Sequence, residues 1–198
     1  MNEEKHTIIN IMLGTACNWS CPYCLQSKQP GFDKKKDVDS FCDRLLEYLN
    51  KNNINKLRRI CYWGGEPLLY KNYVYTIEKR LSHIPHLKSN RVITNGSLID
   101  DEFIDFANNY KMLVNLSYHD GQLDDNGWEK ALHIRQLYVT SLIKHGELNW
   151  DKYFTKWRYI HDTFGRCVNW YIYPVRATPG VPEQYWLTKE DIDSILTI

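Results

Sequence analysis

Three of the chain's six cysteines, Cys17, Cys21 and Cys24, stand on one short stretch, CNWSCPYC, in the spacing C-x3-C-x2-C. Two thiols could close a disulfide and four could hold a tetrahedral zinc ion, so a set of three raises the question of the missing partner. Three thiolates can ligate three irons of a cubic [4Fe–4S] cluster and leave the fourth iron without a protein ligand. An open position is what a catalytic metal needs. A zinc site is the main rival, and it would need a fourth ligand such as His119 or a distant cysteine. Packed thiols are the bland alternative, since free cysteine is often buried. Three of them in one loop with Asn, Ser and Pro between fit that reading poorly.

Other unusual sequences follow the cysteine loop. They are GGEP (Gly64, Gly65, Glu66, Pro67), TNG (Thr94, Asn95, Gly96) and SYHDG (117–121). Each comes after a run of apolar and β-branched residues. Such runs occur at 7–13, 57–63, 91–94, 112–118, 134–143 and 167–175, and they predict strands. Helical spacing lies between them: residues 37–50 put Phe41, Leu45, Leu46 and Leu49 on one face, and 72–84, 101–110 and 151–164 read similarly. An Asp in SLIDDEF suits the N-cap of the third of these helices, and the glycine of HGELNW suits a turn before the fourth. Thr188 with Asp191 forms an acidic variant of the capping box and would open a last helix.

Six strand-then-helix units spaced by roughly 20–40 residues suit right-handed crossovers and a parallel sheet. Six is fewer than the eight units of a closed barrel. The expected fold is α/β: a partial (β/α)6 barrel, an open parallel sheet with helices outside. A doubly wound open sheet is the second choice. With no internal repeat, low-complexity tract or linker, residues 1–198 read as one domain. In such folds chemistry gathers at the carboxyl ends of the strands, so all four unusual sequences fall on one rim. In the fourth strand Asn115, Ser117 and His119 share a face that Leu113 interrupts, while Val114 and Leu116 take the other. A polar face on a buried strand is expensive unless something binds there.

Composition narrows the classes. A net charge of +1 over 198 residues argues against a broad nucleic-acid footprint. The longest basic run, 34–36, is flanked by Asp33 and Asp37 and reads as a solvated loop. No segment approaches the ~20 consecutive apolar residues of a membrane span. The start, MNEEKH, lacks the order of a secretion signal. A cytoplasmic location with reduced thiols is therefore expected, which weakens a disulfide account of the cysteines.

With these motifs in place, the sequence resembles the radical S-adenosylmethionine (radical SAM) superfamily. The resemblance rests on C-x3-C-x2-C with an aromatic residue, Tyr23, before the last cysteine, on GGEP after the second strand and on TNG after the third. It covers essentially the whole chain, because the family core is a six-unit partial barrel. It implies that Cys17, Cys21 and Cys24 ligate a [4Fe–4S] cluster whose open iron chelates the methionine part of SAM. It implies that backbone around Gly64 and Gly65, with Glu66 nearby and Pro67 closing the motif, receives the SAM amino group. Tyr23 would lie near the adenine, and Ser117, Thr94 and Asn95 would contact the ribose or carboxylate. The implied reaction is reductive cleavage of SAM to a 5′-deoxyadenosyl radical that abstracts hydrogen from a substrate, with electrons from a donor such as flavodoxin or ferredoxin. The GGEP and TNGSLI combination looks most like the branch that modifies peptides and proteins, without that branch's cysteine-rich C-terminal domain. The chain would then be either a minimal enzyme or the core of a longer product, ending just inside the sixth helix.

Each residue also has a plainer account. Gly64 and Gly65 could turn the chain, with Pro67 opening a helix. TNG could be an ordinary turn. Ser117 could bond locally, and His119 could be a structural histidine. Cys42, Cys61 and Cys167 read as buried. Tyr118, Trp170, Tyr171 and Tyr173, with Arg176, would either line the mouth or pack the barrel against its helices. A non-catalytic zinc or iron–sulfur module is the alternative class. Within the family, a glycyl-radical activating enzyme or an RNA- or nucleotide-modifying enzyme is the alternative substrate class.

Overall fold

A computed structural model describes residues 7–24, 37–119, 123–146, 150–175 and 182–196. Six strands form a single sheet in sequence order: β1 (Thr7–Met12), β2 (Leu57–Trp63), β3 (Arg91–Thr94), β4 (Leu113–Ser117), β5 (Leu137–Ile143) and β6 (Asn169–Pro174). Every neighbouring pair is parallel. Helices alternate with them: α1 (Val38–Lys51), α2 (Lys71–Leu81), α3 (Asp101–Asn109), α4 (Asp125–Leu132), α5 (Trp150–Phe164) and α6 (Lys189–Leu196). This is the open partial barrel the strand count implies, with β1 and β6 as its edges.

Aspartates start several of the helices. The side chain of Asp37 accepts from Ser40 N at the start of α1, Asp100 from Phe103 N at α3, and Asp124 from Gly127 N at α4. Each satisfies one of the orphan donors of a first turn. At α6 the box is reciprocal: Thr188 N donates to Asp191 Oδ2 and Asp191 N to Thr188 Oγ1. Helices end where the chain passes through positive φ, at Asn53 after α1, Lys111 after α3 and Gly165 after α5.

One side of the sheet faces the helices and is dry. Ile60, Tyr62, Val92, Val114, Leu116 and Val139 are fully buried there, against Val74, Phe103, Trp128 and Ile160 from the helix layer. Each such side chain contributes roughly 1.5–3 kcal/mol of burial. The polar groups in this layer are paired. Tyr62 OH donates to Glu78 Oε1 at 2.7 Å, Asn90 Nδ2 donates to both Glu78 oxygens, and Ile60 N donates to Asn90 Oδ1. Burial, opposed by these donors, raises the Glu78 pKa.

Several sequence expectations change. α4 falls in a stretch that shows no helical run, because Asn126 and Gly127 dilute its apolar face. β5 begins at Leu137 rather than Ile134, and β6 at Asn169. Cys167 therefore precedes its strand and is exposed, not buried, whereas Cys42 and Cys61 are buried as expected. Tyr118 and Trp170 pack outward beside Trp128, while Tyr171 and Tyr173 stand 47% exposed on the other side of the sheet. Arg176, the basic run 34–36 and Asp120–Gly121 lie outside the described residues. Among the described residues no helix is long and apolar enough to cross a membrane.

Candidate active site

The chain leaves β1 through Leu13–Ala16 and enters the cysteine loop. Leu13 N still bonds Trp63 O at 3.1 Å, which extends the ladder to β2 past its last residue. Gly65 N then donates to Gly14 O at 2.9 Å, and Glu66 N donates to Ala16 O at 2.8 Å. Main chain therefore joins GGE to the residues just ahead of Cys17. A Cβ on Gly65 would overlap the Ala16 carbonyl, and one on Gly64 would overlap the Gly14 carbonyl. Gly64 also has φ +145°, a conformation open to glycine. The glycines here permit close approach of two backbone segments of the protein itself.

Glu66 fixes the next strand. It is 1% exposed. Its Oε1 accepts from Thr94 Oγ1 at 2.7 Å and Leu68 N at 2.9 Å, and its Oε2 from Asn95 N at 2.8 Å. Burial raises the Glu66 pKa against the opposing pull of these donors. Pro67 begins the short 3₁₀ turn Pro67–Tyr70 that leads into α2. Thr94 Oγ1 also accepts from Gly96 N, so its hydroxyl is committed within the rim.

Asn95 returns the connection to the cysteine loop. Its Nδ2 donates to Asn18 Oδ1 at 2.9 Å and approaches Cys17 Sγ at 3.9 Å, while its Oδ1 accepts from Ser97 N and Oγ. Asn18 Nδ2 donates to Ser97 Oγ at 2.8 Å. Asn18 and Ser97 carry no motif signal of their own, and only their flanking positions could have drawn attention to them.

Cys17 and Cys24 are exposed and Cys21 is half-buried. Burial pushes the Cys17 thiol above its ordinary value, while a hydrogen bond from Trp19 N at 3.4 Å works the other way. Among the described residues no three His, Cys, Asp or Glu side chains form a group able to hold a metal ion. The donor chemistry, three thiols of one loop reached by an amide donor, fits a polynuclear cluster in which each thiolate takes a different iron.

The loop is tied to the far side of the rim by side chains. Tyr23 OH hydrogen-bonds His119 Nδ1, just beyond β4. Lys144 lies over the Tyr23 and Tyr185 rings, at 5.5 and 5.6 Å from their centroids. His145 Nδ1 pairs with Asp191 Oδ2 at 2.7 Å. Ser117 closes β4 in register with Thr140, and Thr140 Oγ1 donates to Asn115 Oδ1 at 2.7 Å. Contacts thus link Cys17, Gly64, Gly65, Glu66, Thr94 and Asn95 directly, with Tyr23 on the same loop and Ser117 on the adjoining strand end.

Comparison with known proteins identifies the family. Residues 11–175 match the family model of the radical SAM superfamily, and the chain belongs to that superfamily. It is 24% identical over 154 residues to a serine-type anaerobic sulfatase-maturating enzyme of Bacteroides thetaiotaomicron, covering 70% of this chain and 36% of the relative. It is 30% identical over 112 residues to a GTP 3′,8-cyclase of Clostridium perfringens, covering 55% of this chain and 33% of the relative. The solved structure of anSMEcpe with bound AdoMet superposes with a TM-score of 0.65 at 18% identity, covering 96% of this chain and 58% of that one. The same protein with AdoMet and the Kp18Cys peptide superposes with a TM-score of 0.63. The chain thus spans about a third of the length of these two curated relatives, and the two structures share its fold.

Proposed function

We propose that this chain, as a single core domain over 1–198, is a radical SAM enzyme that binds a [4Fe–4S] cluster and SAM at the rim and acts on a peptide or protein. The observation that carries this reading is the joining of three separate motifs at one place. CNWSCPYC, GGEP and TNG are connected by Gly65 N to Gly14 O, Glu66 N to Ala16 O, and Glu66 to Thr94 and Asn95. Cys17, Cys21 and Cys24 would hold the cluster. When bound, it supplies the electron that splits SAM into methionine and a 5′-deoxyadenosyl radical able to abstract hydrogen from substrate.

The protein's own part is positional. The Gly64–Gly65 backbone, held against Gly14 and Ala16 by the N–H groups of Gly65 and Glu66, would receive the SAM ammonium beside the cysteine loop. Glu66, with Thr94 and Leu68, holds that backbone still. Asn95 keeps one amide proton near Cys17, and Tyr23, anchored by His119, offers a ring face for adenine. Ser117 offers a hydroxyl at the next strand end for the ribose or carboxylate. Free thiols suit a reducing compartment such as the cytoplasm, and the electron would come from a flavodoxin- or ferredoxin-type donor. The peptide reading draws on the sulfatase-maturating relative, and a nucleotide substrate is the second reading, drawn from the GTP cyclase relative.

The test is anaerobic reconstitution with iron and sulfide, reduction, addition of SAM and assay of 5′-deoxyadenosine. The native chain is expected to produce it, and a Cys17→Ala, Cys21→Ala, Cys24→Ala variant to produce none. Equal amounts from both, or a native protein that takes up zinc and no cluster, would remove the proposal.

A further inference from the structure

The sheet face turned away from the helices carries two arginines that the rim chemistry leaves unused. Cys61 pairs in register with Arg91 across β2 and β3, so Arg59, Cys61 and Arg91 share a face. Ile60 and Tyr62, fully buried, occupy the opposite face. The Nε atoms of both Arg59 and Arg91 are buried and have no hydrogen-bond partner. Arg91 Nη1 donates to Tyr138 OH at 3.2 Å, and its guanidinium also reaches the Cys61 thiol. The described strand residues on this face include no Asp or Glu to balance the pair. A cavity of about 550 Å³, lined by Leu113, Tyr138, Tyr171 and Tyr173 with Arg135 and Arg166, meets this pair at Tyr138, the partner of Arg91.

Half-buried guanidinium groups with unmet donors are costly unless an anion completes them. A guanidinium presents a planar fork that matches carboxylate or phosphate oxygens. We propose that Arg59 and Arg91, steadied by Tyr138, form a subsite for an anionic group of the substrate, a carboxylate or a phosphate. The proposal rests on the reading of the rim as the reacting end. Arg91 opens β3 and Thr94 closes it, so at about 3.3 Å per residue the subsite lies on the order of 10 Å below the rim. The subsite therefore selects a substrate whose reacting C–H bond and anionic group are separated by about that span, one held at the rim and the other at the floor.

Calorimetric titration of the reconstituted, SAM-bound protein with pyrophosphate and with malonate tests this. Saturable binding of at least one probe is expected, weakened about tenfold or more by Arg59→Gln and by Arg91→Gln and several-fold by Tyr138→Phe. Stronger binding of pyrophosphate would identify a phosphate-bearing substrate, and stronger binding of malonate a carboxylate-bearing one. Equal affinity in native protein and all three variants, or saturation by neither probe, would overturn the proposal. Should an arginine variant fail to fold, Tyr138→Phe and Arg59→Lys decide it, since both keep the charge and lose a fixed contact. Uncoupled SAM cleavage is measured alongside and is expected to be unchanged in the variants. A native protein that binds the probes through these residues and cleaves no SAM would sink the enzyme reading and leave the subsite standing.

Discussion

The two halves of the sheet are fastened differently at the rim. Between β1, β2 and β3 the strand ends are stitched by main chain and by one buried carboxylate: Gly14 with Gly65, Ala16 with Glu66, and Glu66 with Thr94 and Asn95. Across β4, β5 and β6 the ladders also run one residue past the strands, through Tyr118 N to Thr140 O and Val175 N to Ile143 O. The loops beyond them, however, are joined chiefly by side chains, through Tyr23 with His119, Lys144 over two tyrosine rings and His145 with Asp191. Main-chain bonds leave little rotamer freedom, whereas long side chains can rearrange at modest cost. The lesson is that the half proposed to hold the cofactor is fixed before anything binds, and the half beside the large cavity can adapt to what enters.

The sharpest way to break that contrast is Gly65→Ala. Its methyl must displace the Ala16 carbonyl that stands directly before Cys17. A loss of roughly 2–4 kcal/mol in denaturant unfolding is expected, together with weakened cluster retention. If the variant keeps native stability and cluster content, the first half is less rigid than described.

Glu66→Gln comes next. An amide cannot accept from Thr94, Leu68 and Asn95 together, and about 1–3 kcal/mol is expected to be lost. The effect should depend on pH in a definite direction. The folded Glu66 pKa is raised above its ordinary value of 4.5, chiefly by burial, so its protonated form is favoured by folding. Its contribution is complete below the unfolded pKa and is lost as pH rises through the folded one. The native protein's advantage over Glu66→Gln should therefore shrink as pH climbs from about 4.5. Urea midpoints of both proteins across that range check the sign, and a gap that widens would contradict the assigned burial.

The smallest effect belongs to the open half. Tyr173→Ala removes a ring that is 47% exposed and, among the described residues, stacks on Tyr171. Stability should change by no more than about 0.5 kcal/mol. A large loss by thermal unfolding would mean that the second half is packed as tightly as the first.

Most of the fold was legible because strand and helix periods show directly in residue type. Alternation and β-branched runs located all six strands, and Asp100, Thr188 and Asp191 announced helix starts. α4 was not legible because eight residues containing Gly127 make too weak a stripe, although Asp124 was a usable cap signal. At the site, the cysteines, glycines and TNG could be named from spacing. What they bond to could not. Gly64 and Gly65 act by letting main chain approach the Gly14 and Ala16 carbonyls, which no side-chain pattern reveals. Arg59 and Arg91 were overlooked because one follows another arginine and the other opens a short strand. The alternation of Arg59 with Ile60, Cys61 and Tyr62 held the clue, since it sets a charge on the same face as a buried thiol.

Because β1 and β6 each pair on one side only, the six strands trace an arc and not a ring. A ring admits a molecule end-on, through its mouth. Among the described residues this arc has a side opening between its edge strands, bridged at the rim where Lys144 and Tyr185 meet Tyr23. The polymeric substrate proposed for this chain would not need threading to bring an interior residue to the rim. Such a substrate would be laid in from the side, with both of its ends left outside.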